Sequence, residues 1–104
     1  MRVELTERGS VRIDARCADE IGAAEGVLVR ADESSVSLTM LPGNAVGGLI
    51  LNRTSAAGDR AVLVVAQIRD LQWNAGVREA EWDARSRTLC VPLCVEDGVV
   101  GSFA

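Results

Sequence analysis

Apolar and polar residues alternate from the first residues of the chain. Val3 and Leu5 lie between Arg2, Glu4 and Thr6, and Val11 and Ile13 are separated by Arg12 and followed by Asp14. A period of two is that of a half-buried strand, so the spacing predicts two strands joined by the turn Glu7-Arg8-Gly9-Ser10. The next stretch, Ala15–Ile21, reads as a short helix with Asp14 as its cap and Gly22 just past its end. Val27 and Val29 begin a third strand. Val36, Leu38 and Met40 line one face of a fourth, after a polar hairpin turn at residues 31–34. Pro42-Gly43-Asn44, followed by Gly47-Gly48, marks the best candidate for an internal joint. Residues 48–53 predict a fifth strand. Residues 61–65 form a continuous apolar run, as expected for a strand buried on both faces. Ile68 and Leu71, three apart, suggest a helical turn within residues 66–73. Ala80 and Trp82 belong to one further strand and Leu89, Val91 and Leu93 to another, with a hairpin loop at residues 83–87. Pro92 has no N–H to donate, which places that last strand at an edge or gives it a bulge. Glu96-Asp97-Gly98 is a final turn before a short tail.

The fold class that follows is mainly β with one or two short helices: a small, β-barrel-like single domain spanning residues 1–104. Residues 1–42 and 46–98 share one order, namely strand, strand, short helix, strand, strand. That order raises an internal duplication. The halves share little residue identity, and two hairpins around a short helix also arise by chance in small β-rich chains.

Composition narrows the chemistry. Apolar residues make up 48% of the 104, enough for a core without metals or disulfides as staples. No apolar run approaches the roughly 20 residues needed to span a bilayer, so no membrane partner is expected, and the absence of an apolar leader points to the cytoplasm. The chain has no His, no Tyr and no Lys; all eleven positive charges are Arg. The usual general base and the commonest metal ligand are therefore missing, as are Schiff-base and phosphate-loop lysines. The expectation is a protein that is not an enzyme and holds no cofactor or metal. Cys17, Cys90 and Cys94 read as reduced thiols. Cys90 and Cys94 would lie about 13 Å apart on a straight strand, too far for a disulfide. The carboxylate pairs Asp19-Glu20, Asp32-Glu33 and Glu96-Asp97 are accounted for by a helix surface and two turns.

One resemblance is carried by Thr6-Glu7-Arg8-Gly9-Ser10-Val11-Arg12-Ile13, by residues 15–22 ending in Ile21-Gly22, and by Glu25-Gly26-Val27-Leu28-Val29. Over residues 2–41 the chain resembles the AbrB/MazE/SpoVT family of swapped-hairpin barrel domains. It departs from them in having Asp14 where the family has Pro before the helix, and in carrying fewer cations on the first strands. The resemblance implies a barrel of two intertwined halves, from two chains in a homodimer or from one chain in an MraZ-like arrangement. It also implies a transcription regulator or antitoxin whose DNA-contacting residues correspond to Arg2, Arg8, Arg12 and Arg16.

Those arginines also have a plain reading. Four Arg stand against Glu4, Glu7 and Asp14 in the first sixteen residues, and the net charge of the chain is −4. Arginine contacts phosphates and guanine edges, but a solvated sheet face with interleaved ion pairs accounts for the same pattern, and Glu4 and Glu7 repel phosphate. Trp73, beside Gln72 and Asn74, is the candidate anchor for a protein partner; core packing is the alternative. Two functions remain in view: a non-enzymatic protein-interaction or assembly module, and an AbrB-like DNA-binding regulator or antitoxin.

Overall fold

The first alternation forms a hairpin. In the computed structural model, which describes residues 1–22, 24–41 and 48–94, β1 (Arg2–Leu5) runs antiparallel to β2 (Ser10–Ile13), with Val3 opposite Ile13 and Leu5 opposite Val11. All four of these side chains are buried. The turn closes on Gly9, whose N–H donates to Thr6 O at 2.9 Å and whose φ is 83°. A side chain there would meet Val65, so glycine serves both the turn and a close approach. Asp14 caps α1 (Ala15–Ile21) by accepting from Cys17 N at 2.9 Å, and Gly22, at φ 88°, ends it. The polar turn at residues 31–34 is held by Asp32 Oδ1, which accepts from the N–H groups of Ser34 and Ser35. It joins β3 (Gly26–Ala31) to β4 (Ser35–Met40).

The remaining elements are β5 (Leu49–Ile50), β6 (Asn52–Arg53), β7 (Arg60–Leu63), α2 (Val65–Ile68), β8 (Gly76–Glu79), β9 (Glu81–Asp83) and β10 (Thr88–Pro92). The described residues form two antiparallel five-stranded sheets, ordered β6-β7-β2-β1-β8 and β5-β3-β4-β10-β9. β5 and β6 are separated only by Leu51, and β8 and β9 only by Ala80. Both intervening residues are buried. Each pair is thus one stretch of extended chain that bends at an inward-pointing apolar residue and passes from one sheet to the other. The two sheets are continuous at both edges and enclose one core. Its members come from both ends of the sequence, from Val3 to Leu93.

When each bent pair is counted as one strand, residues 2–40 and 49–92 run through the same order of strand, strand, helix, strand, strand. The halves interleave in both sheets, through the β2–β7 and β1–β8 pairings in one and the β4–β10 and β3–β5 pairings in the other. The expected joint at Pro42-Gly43-Asn44 and the expected final turn and tail after Val95 lie outside the described residues.

Three expectations change. The apolar run at residues 61–65 is not buried on both faces. Val62 and Val64 point inward, Leu63 is 54% exposed, and Val65 already starts α2. A run of apolar residue types carries no periodicity, so it cannot show which side chains face the core. The helical turn expected within residues 66–73 is α2 alone. The strand carrying Pro92 is not at an edge, since β10 lies between β4 and β9. Its ladder with β9 stops at Cys90, so Pro92 pairs only on the β4 side and its missing N–H interrupts nothing.

Candidate functional site

The hairpin register decides which of the four N-terminal arginines can act together. Arg2 and Arg12 lie on the outer face at one end of the β1–β2 hairpin and share a depression of about 220 Å³ with Glu4, Asp14 and Asp59. Arg8 is in the turn at the opposite end, and Arg16 is on the exposed side of α1's first turn. The hairpin therefore brings together two of the four. Arg12 reaches Glu4 at 3.5 Å with both side chains about half exposed, an ion pair contributing roughly 0–1 kcal/mol. Asp14 and Asp59 are engaged in holding the backbone. Asp59 Oδ1 accepts from Ala15 N at 2.6 Å and Oδ2 from Ser55 Oγ at 2.9 Å. The Cys17 N–H, aided by the nearby Arg16 charge, holds the Asp14 carboxyl below its ordinary range, so it is ionised at neutral pH. Two cations thus face three carboxylates, and the depression has no surplus of positive charge to attract phosphate.

Trp73 is partly buried and packs against the core, as does Trp82. Cys17 Sγ lies 3.6 Å from Arg2 O, and burial pushes this thiol's pKa up, away from the reactive thiolate. Cys17, Cys90 and Cys94 are all free. Among the described residues, no three His, Cys, Asp or Glu side chains come together as a metal site. No helix among them is long and apolar enough to cross a membrane.

A different surface stands out by its apolar exposure. Ile50 is 69% exposed, Leu63 54% and Leu28 50%. Their positions follow from register. Asn52 pairs with Ala61, and two residues back along β5 and forward along β7 the same line sets Ile50 against Leu63. On its other side Ile50 pairs with Gly26, and Leu28 shares Gly26's outward face two residues further on. The three side chains make a stripe across the seam where one sheet passes into the other. Ile50 and Leu63, with Val65 and Ala66 of α2, line a groove of about 440 Å³. Gln67 also borders this groove, and its side-chain oxygen is buried without a hydrogen-bond partner. A buried acceptor left unpaired is costly.

Sequence reasoning missed this stripe. Leu49-Ile50-Leu51 and residues 61–65 look like core, but strand alternation sets Ile50 outward between the inward Leu49 and Leu51. No protein-family model, curated protein or solved structure matches the chain.

Proposed function

We propose that this chain is a non-enzymatic protein-interaction or assembly module that binds a protein partner through the Leu28–Ile50–Leu63 stripe. The observation that carries the reading is the groove lined by Ile50, Leu63, Val65 and Ala66, beside the exposed Leu28. Large apolar side chains exposed together are the composition of a recognition surface. The matching partner presents apolar side chains.

The test is a photo-crosslinking residue placed at Ile50, with a control placed at the exposed Glu33 of the β3–β4 turn. The expected result in native cells is one discrete adduct from position 50 and none from position 33. Leu63→Asp should abolish that adduct without lowering the melting temperature, because Leu63 is largely in water. The partner, purified, must then bind the parent chain and not Leu63→Asp. Equal adducts from both positions, or none from position 50, would refute the reading. An adduct with a second copy of the chain would identify a homodimer as the assembly.

The DNA-binding reading rests on Arg2, Arg8, Arg12 and Arg16. It is the weaker of the two, because the pair that the hairpin brings together is outnumbered by carboxylates.

A further inference from the structure

The outward side chains of the second sheet fall into rows set by register. In one row Arg30 pairs with Ser37, Ser37 with Cys90, and Cys90 with Glu81. Strand alternation keeps this row on the face away from the core, because Val36, Leu38, Leu89 and Val91 on either side of it are fully buried. The adjoining row sets Leu28 beside Thr39, Thr39 beside Thr88, and Thr88 beside Asp83. The middle of the face is thus built from small side chains on β4 and β10. The long charged ones stand at its flanks, a cation on β3 and an anion on β9.

The middle loses little on leaving water. The Thr39 and Thr88 hydroxyls lie 3.1 Å apart and bond to each other, so they carry their partner with them. The flanks are different. Arg30 and Glu81 are exposed, and among the described residues neither enters an ion pair; the pairs there are Met1 with Glu79 and Arg12 with Glu4. Asp83, by contrast, is engaged in its own turn, where it accepts from the Arg85 N–H at 2.9 Å.

We propose that this face is an interface between two copies of the chain, related by a two-fold axis running along the strands midway between β4 and β10. Such an axis exchanges the two flanks and keeps the level along the strands. It sets Arg30 of each copy over Glu81 of the other, and Ser37 over Cys90, so the same charge pair forms twice. Packed sheets lie about 10 Å apart, a gap that an arginine and a glutamate reaching from opposite sides can close. Charge selects this axis. A two-fold across the strands at the same row would set Arg30 over Arg30 and Glu81 over Glu81. Charge also selects the occupant. A partner must show an anion and a cation about 14 Å apart, three strand spacings, in reversed order across a flat face, and the chain's own face supplies that pattern. Four short strands make a small interface, so monomer and dimer should exchange with concentration. Ile50 and Leu63 lie outside this face, so it and the interaction-module reading can fail separately.

The test is sedimentation of the full chain, with reductant and at low salt, from micromolar to submillimolar concentration. A concentration-dependent dimer that added salt weakens is expected. Arg30→Glu and Glu81→Arg should each raise the dissociation constant at least about tenfold, since each turns two attractions into two repulsions. An equimolar mixture of the two variants should dimerise again. One then presents two anions and the other two cations, and only the mixed pair is complementary. Both positions are exposed, and unchanged melting temperatures will show that the variants fold. A chain that stays monomeric, a dimer that survives the reversals, or a mixture no more dimeric than its components would each overturn the proposal. A dimer indifferent to both reversals but lost in Leu63→Asp would overturn it in favour of the stripe.

Discussion

Arg78 is a buried polar brace between the two sheets, and its replacement tests how they are tied. It is 3% exposed, on β8. Its Nε donates to Pro92 O at 2.8 Å, and its Nη2 donates to Leu93 O at 2.7 Å, to Asn74 Oδ1 at 3.0 Å and to Asn74 O. One planar group thus gathers the end of β10 and the segment leading into β8, beside the bend at Ala80. A hydrogen bond to a charged donor contributes about 1.5–3 kcal/mol. The three backbone carbonyls alone therefore give about 5–9 kcal/mol gross, against a desolvation cost of several kcal/mol for the guanidinium. Arg78→Met keeps much of the volume and avoids that cost, but strands three acceptors. The expected net loss is about 3 kcal/mol, or roughly 12 °C or more in Tm for a chain of this size. Arg78→Lys should recover about half, because a point ammonium cannot span acceptors that a planar fork reaches together. Urea unfolding followed by fluorescence of Trp73 and Trp82, with a thermal melt alongside, measures both. A Met variant within about 1 kcal/mol of the parent, or a Lys variant equal to it, would refute the brace.

Three further outcomes are expected. Asp14→Ala removes the α1 cap and should cost about 1 kcal/mol. The folded pKa of Asp14 is lowered, so its charge-dependent stabilisation is fully present above the ordinary value of 3.8 and fades as pH falls through the folded value; Asp14→Asn should flatten this part of the acid limb in melts between about pH 6 and pH 2. Gly9→Ala faces both a φ of 83° and a Cβ 2.9 Å from the Val65 backbone. It should cost more than about 2 kcal/mol, and a neutral melt would show that the β1–β2 turn and the start of α2 are not packed as described. A labelled DNA duplex at low salt should show no binding that weakens with added salt; steep salt-dependent binding, reduced by Arg8→Ala or Arg12→Ala, would reinstate the regulator reading.

Local alternation determined much of this protein. Val3, Leu5, Val11 and Ile13 declared a hairpin, Asp14 and Gly22 bounded a helix, and Asp32 marked a turn, because each signal needs only neighbours within a few residues. The mainly β class and the repeated order of elements were legible for the same reason. Tertiary structure decided the rest. A bend at a buried Leu51 or Ala80 leaves no local mark, yet it carries one strand into two sheets. Register between strands remote in sequence set Leu63 in line with Ile50 and separated Arg8 from Arg2 and Arg12. Burial of Arg78 was equally invisible, since Val77-Arg78-Glu79 alternates like any half-exposed strand. The carbonyls of Asn74, Pro92 and Leu93, brought together by the fold, help make a charged side chain stable inside.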